Sequence, residues 1–210
     1  MLFETKQLLL FTSAALALNL TPGADMMFCL AQGARSGPKV GVAASVGIST
    51  GALLHTLLAA LGLAALLAAH PIAFETLRWG GVAYLVWLAL RAFRSGPIEW
   101  HAAAGRATSG VAQAWRQGTL VNLLNPKVAI FILAFVPQFV DPARGSSVLQ
   151  FLVLGGILIA GGTVVNALVG ICAGRVARLL DGNQRAGIIF RRSTGVVFLG
   201  LAAKLAFDRR

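Results

Sequence analysis

Between Val40 and Phe74 the chain reads VGVAASVGISTGALLHTLLAALGLAALLAAHPIAF, an unbroken run without aspartate, glutamate, lysine or arginine. A helix of about 20 apolar residues crosses the hydrocarbon of a bilayer, and this run is long enough to do so. The same pattern recurs on both sides. Residues 7–24 carry no charge, and past Asp25 the apolar sequence continues to Arg35. Residues 79–90 lie uncharged between Arg78 and Arg91, and Lys127 is the only charge from Gln117 to Val140. Residues 145–174 have none, and residues 193–203 have none before Lys204. Six transmembrane helices are predicted, near 7–32, 41–68, 73–93, 118–139, 147–173 and 188–207. The third and sixth have short uncharged centres, so Arg78, Arg91 and Lys204 are expected to snorkel to the interface.

Composition agrees. Of 210 residues, 57% are hydrophobic and 12% charged, against about 25% charged in a soluble domain, and the mean hydropathy is +0.78. A water-soluble monomer is excluded, and the fold class is an all-α, polytopic membrane protein. The formal net charge of +11 resides in the gaps between apolar runs, where a membrane protein keeps its cytoplasmic positives, so nucleic acid is not an expected partner. Cys29 and Cys172 both fall in apolar stretches and read as small buried hydrophobes, with no disulfide, metal site or cofactor expected. The N-terminus has Glu4 and Lys6 before an apolar run that continues past Ala17 to Ala34. It reads as an uncleaved first span rather than a leader. Trp79, Trp100 and Trp115 lie near span ends, as interface anchors do.

Alternate connections differ in charge. Those after the first, third and fifth spans hold eleven Lys and Arg, against six on the other side, which places both termini outside. The polar linker 95–117 divides a single membrane domain, 1–210, into halves 1–94 and 118–210. The halves resemble each other. Gly81-Val-Ala-Tyr-Leu85 aligns without gaps with Gly195-Val-Val-Phe-Leu199, each preceded by an arginine three positions earlier, Arg78 and Arg192. Thr21-Pro22 and Asn125-Pro126 stand at matching places in the first and fourth spans. Three spans per repeat force the halves into opposite orientations, the inverted-repeat plan of secondary transporters.

Proline lacks an N–H and suits the first helical position, while Thr and Asn cap helix starts. Each pair therefore predicts a helix that stops in mid-membrane and restarts at Pro22 or Pro126. Such a break is tolerated where the backbone lines a wet cavity or is buried in protein. A plain proline kink is the alternative. Asp25 and Lys127 lie beside the two breaks, opposite in sign. A charge at the bilayer centre costs at least about 2.5–3.5 kcal/mol and so faces the bundle interior. A zwitterionic amino acid would complement them, Lys127 holding the carboxylate and Asp25 the ammonium. A permanent Asp25–Lys127 ion pair between the halves is the other reading. Asn19 and Asn122 are expected to line the site with Thr21, Gly23 and Asn125, and Asn166 is open between site and packing. Asp25 is the better candidate for a coupling proton, and His55, mid-span, is the second.

Gly47-Ile48-Ser49-Thr50-Gly51 matches the G-x-S-x-G nucleophile pattern, with His55 six residues past Ser49. That elbow requires a strand–turn–helix context. In an uncharged run the motif reads instead as close packing through small residues, a pattern repeated at Gly170 and Gly174.

At Asn19-Leu-Thr-Pro-Gly-Ala-Asp-Met-Met-Phe28 the sequence resembles the LysE/RhtB amino-acid exporter family, whose first span carries a T-P-G-P-[ND] signature. The resemblance extends through Arg35-Ser-Gly-Pro-Lys39, Gly47, Gly51, Gly81-Val-Ala-Tyr-Leu85, Asn122-Leu-Leu-Asn-Pro-Lys127 and Phe135-Val-Pro-Gln-Phe-Val140, and so covers essentially the whole chain. It implies a proton-driven inner-membrane exporter of amino acids or close derivatives, of the homoserine, threonine and leucine efflux type, with six helices in two three-helix halves. It carries functional weight to Thr21, Pro22, Gly23, Asp25, Asn122, Asn125, Pro126 and Lys127. The chain departs from the family at Ala24, where a second proline is usual, which loosens the expected break in the first span.

The expected function is secondary active export of a small zwitterionic amino acid in exchange for protons, from within the lipid bilayer, with a homo-oligomer left open. Export of another cargo such as a metal cation, intramembrane hydrolysis by Ser49 and His55, and a passive channel are the alternatives. Metal export is disfavoured because only Asp25 and His55 could serve as ligands, and such sites want three or four.

Overall fold

The computed structural model describes residues 2–69, 71–94, 110–173 and 184–207. Among the described residues there is no strand. Helix α1 (Thr5–Leu20) stops at Thr21-Pro22-Gly23, and α2 (Ala24–Ser36) restarts at an angle of 51°. Gly37 then turns the chain with φ +87°, a left-handed conformation that favours glycine, and Pro38 opens α3 (Pro38–Ala69). Helix α4 (Pro71–Arg94) follows.

A second break follows later in the chain. Helix α5 (Val111–Leu123) ends before Asn125, α6 (Pro126–Ile130) restarts, and the chain continues through a π turn (Phe131–Phe135) and a 3-10 turn (Val136–Phe139). The bend between α5 and Pro126–Phe139 is 53°. Helices α7 (Ser147–Ile171) and α8 (Gln184–Phe207) complete the described chain. Both expected helix breaks are present, and Ala24 does not straighten the first. Helix α5 begins at Val111, inside the stretch assigned to the linker. Its buried face, Ala114, Gly118 and Asn122, keeps a spacing of four, while Gln113, Arg116 and Gln117 point outward. Polar residues on one side of a helix do not end it.

Among the described residues, α3 and α7 are each long and apolar enough to cross a membrane, and the two bent pairs qualify as broken spans. Helix α3 is central and packs along α5 and α7, while α4 packs along α8. Glycines set these distances. A Cβ at Gly33 would land on the Gly170 carbonyl, and one at Gly118 would meet the Ala44 carbonyl at 2.5 Å. The Gly47 and Gly51 positions abut the α5 backbone in the same way, so that motif serves packing. Gly174 lies outside the described residues.

The second break is braced against the first half by aromatic rings. Phe11 of α1 is fully buried against Phe131, Phe135 and Phe139, with ring centroids 5.2–6.4 Å apart. The π turn widens the helix where these rings stack, and such turns recur at functional sites.

Candidate functional site

The two breaks lie together and are joined by Lys127. In a continuous helix the N–H of residue 22 would bond to the Leu18 carbonyl, and Pro22 has none to give. The Lys127 ammonium donates to that carbonyl and to the Thr21 carbonyl, each at 2.9 Å. It thus sits at the negative end of α1. Thr21 adds its own closure by donating its hydroxyl to the Ala17 carbonyl at 2.6 Å. Gly23 lets the lysine lie across the break, since a Cβ there would come within 3.3 Å of Nζ.

Asn125 performs the capping that the sequence predicts, accepting from the Lys127 backbone N–H at 3.0 Å. Its amide nitrogen Nδ2 is buried and has no partner. Tyr84 of α4 donates to the Pro126 carbonyl at 3.2 Å.

A cavity of about 370 Å³ opens between the breaks, lined by Thr21, Pro22, Gly23, Asn125, Pro126 and Lys127 from the breaks and by Trp87, Leu88 and Arg91 from α4. Arg91 is stacked over Trp87 at 5.4 Å from the ring centroid. Arg91, expected to snorkel to the interface, also lines this cavity. Trp87 and Arg91 escaped sequence reasoning. Their signal is the stripe Tyr84, Trp87, Leu88, Arg91, spaced i, i+3, i+4, i+7 on one helix face. The side chains of Arg78 and Lys204 lie outside the described residues.

Asp25 faces elsewhere. It occupies the first turn of α2, is buried, and accepts from Asn122 Nδ2 at 3.0 Å. Among the described residues it forms no ion pair with Lys127. It lines a second cavity of about 30 Å³ together with Asn19, Asn122, Asn166, Ser49 and Thr163. Of the expected site residues, Thr21, Gly23, Asn125 and Lys127 thus meet at one cavity, and Asn19, Asp25 and Asn122 at the other. His55 is on α3, with its Nε2 buried and unpartnered, and lines neither. Ser49 lies within a helix and contacts Thr163 and the Ser45 carbonyl, so the strand–turn–helix elbow of a hydrolase is not formed there.

The two cavities differ in chemistry. The larger one presents donors and positive charge: Lys127, Arg91 and the unpaired Asn125 amide. The smaller presents a carboxylate and amide oxygens.

The LysE type translocator family matches residues 16–209. The chain belongs to this family. The LysE-family chain is 32% identical over its whole length to the homoserine/homoserine lactone efflux protein of Salmonella typhimurium, covering 99% of that protein. It is 26% identical to the leucine efflux protein of an Enterobacter species, with 93% of each chain covered. An uncharacterized membrane protein of Pseudomonas aeruginosa is 34% identical over 89% of this translocator chain and 88% of its own. No solved structure matches significantly. As a LysE-family member the chain is a polytopic membrane protein with amino-acid efflux relatives, and the proline motifs that mark the resemblance are the ones that form its cavity.

Proposed function

We propose that this chain is a secondary active exporter that moves amino acids or close derivatives across the bacterial inner membrane in exchange for protons. The observation that carries the reading is the larger cavity. Lys127 and Arg91 bring positive charge to its lining, and Asn125, whose Nδ2 is buried and unpaired, lines it too. An unpaired buried donor costs about 1–3 kcal/mol, and a substrate carboxylate would satisfy it beside two positive charges. About 370 Å³ falls within the usual range of small-ligand pockets, about 300–1,000 Å³. Names of relatives support the same substrate class.

The membrane plan follows. Helices α4 and α8, 24 residues each, complete six spans in two inverted three-helix halves. The similar bends of 51° and 53°, and the packing of α3 on α7 and of α4 on α8, are what an internal two-fold relation produces. Both termini face outside. The halves rock about the breaks to expose the cavity to each side in turn. Asp25 carries the exchanged proton, with His55 as the second candidate.

Efflux from proteoliposomes preloaded with labelled homoserine, leucine or homoserine lactone tests this reading. Export that rises with an inward proton gradient is expected, and Asp25→Asn should bind substrate but lose the gradient dependence. Absence of efflux for amino acids and derivatives alike overturns it. Flux indifferent to the gradient would instead mark a passive channel.

A further inference from the structure

The smaller cavity poses a hydrogen-bonding problem. Three oxygens at its lining residues, Asp25 Oδ1, Asn122 Oδ1 and Asn166 Oδ1, are buried without a donor. Their residues are 8%, 1% and 6% exposed. The donors of Asn122, Asn19, Ser49 and Thr163 are already committed. Asn122 Nδ2 donates to Asp25 Oδ2 at 3.0 Å, and Asn19 Nδ2 donates to the Leu158 carbonyl at 3.0 Å. Ser49 and Thr163 hydrogen-bond each other at 2.5 Å, one hydroxyl donating to the other and the remaining proton going to a backbone carbonyl, Ser45 or Ile159, so neither has a proton to spare.

Three candidates could satisfy such a site. A proton on Asp25 supplies one donor, enough for one asparagine oxygen and not the other. A water supplies two donors for three acceptors, and it brings no charge to offset a buried carboxylate. A cation satisfies every oxygen at once. Hard cations take oxygen ligands from carboxylates, amides and hydroxyls. One carboxylate balances one positive charge, whereas a divalent ion would leave a net charge buried. A cavity of about 30 Å³ exceeds the roughly 10–15 Å³ that a single water needs, room for an ion without its full hydration shell and too little for an amino acid.

We infer that this cavity is a binding site for one dehydrated sodium ion, held by Asp25 Oδ1 and the amide oxygens of Asn122 and Asn166. Ser49 and Thr163 complete the wall. The inference rests on the reading above, in which Asp25 is the coupling group, and adds sodium as a competitor of the proton there. The helix break places the ion beside the substrate cavity without sharing it, so the loading of one can bias the closure of the other.

Equilibrium binding of ²²Na⁺ to the purified full chain in detergent tests it without reference to transport. Saturable binding of one ion per chain is expected, undiminished by equal choline and weakly opposed by potassium. Asn166→Ala should weaken it about tenfold or more, the order seen when a metal's supporting residues are removed, and Asp25→Asn should abolish it. Absence of saturable binding overturns the inference, as does binding that survives both substitutions. Should either variant not fold, the native chain decides: sodium must raise its unfolding temperature above that in equal choline chloride, and equal temperatures overturn the site. An exporter that moves amino acids with no sodium effect would leave the proposed function standing and remove this site alone.

Discussion

Lys127, just past the second break, donates its ammonium to the carbonyl of Thr21 in the first break, at 2.9 Å. The bond crosses between segments more than a hundred residues apart, and the ammonium also serves the Leu18 carbonyl, which Pro22 leaves without its helical N–H, at 2.9 Å. The same ammonium borders the larger cavity. On the proposed function, structural support and substrate attraction rest on one side chain. Replacing it with the similarly sized Met takes the donor from the Thr21 carbonyl, at about 1–3 kcal/mol, while the Leu18 carbonyl keeps the Thr21 N–H at 3.2 Å. Lys127→Met is expected to lower the unfolding temperature in detergent and to abolish efflux of carboxylate substrates. Native stability in this variant would show that the Thr21 carbonyl finds another donor.

Gly23 separates those two roles. A Cβ at this position would meet Lys127 Nζ at 3.3 Å, a contact the flexible end of the lysine can relieve by moving a few tenths of an ångström. The backbone of Gly23 is extended, φ −160°, so alanine introduces no strain there. Gly23→Ala should cost less than Lys127→Met, because the lysine keeps its carbonyl partners within reach and the N-cap of α2 changes only from glycine to the less favoured alanine. Its KM for efflux should nevertheless rise, because the ammonium is displaced from its place in the cavity. An unchanged KM, measured across a substrate series, would show that the position of Nζ does not matter to binding.

The breaks were legible in the sequence because proline has a definite local consequence: it withholds an N–H whatever surrounds it. The apolar helices α3 and α7 and the two bent pairs were legible because hydrocarbon excludes charge over a whole segment. Neither signal says which groups face each other. Asp25 and Lys127 invite pairing by sign and position, yet the lysine takes backbone carbonyls, which no side-chain pattern announces. Asp25 takes Asn122, three residues before the second cap at Asn125 and on the same α5 face as Gly118. Asn166, with no charge or proline beside it, gave no sequence signal toward either reading, and its cavity appears only when α2, α3, α5 and α7 are packed together. Arg91 gave no sequence sign of the cavity it lines, because its stacking on Trp87 depends on how α4 packs against the breaks.

Arg91 offers a clean chemical test of the carboxylate reading. Homoserine carries a free carboxylate, and its lactone has that group tied up in a ring ester. Arg91→Gln removes the charge, and it leaves the Lys127 bonds to α1 in place. Efflux assays are expected to show the KM for homoserine rising about tenfold or more, within the worth of a charged hydrogen bond, about 1.5–3 kcal/mol. The lactone should change little. Equal losses for both substrates would mean that Arg91 acts on the shape of the cavity and not on a carboxylate.

The contact between Gly33 of α2 and Gly170 of α7 sets how closely the restarted first span approaches the second half. A methyl at Gly33 would overlap the Gly170 carbonyl and lie 3.0 Å from the Ala173 side chain. The obstruction is backbone, so relief requires moving a helix, at about 1–3 kcal/mol for overpacking of this kind. Gly156, also on α7, has nothing within 4 Å of a built Cβ, and alanine there gains helix propensity worth up to about 1 kcal/mol. Thermal unfolding of the two purified variants is expected to move in opposite directions: Gly33→Ala downward, Gly156→Ala unchanged or upward. The pairing controls for the general effect of replacing glycine in a lipid-embedded helix. If Gly33→Ala is as stable as Gly156→Ala, the two halves are not held at glycine contact distance, and the cavity between the breaks loses one of the restraints that fix its width.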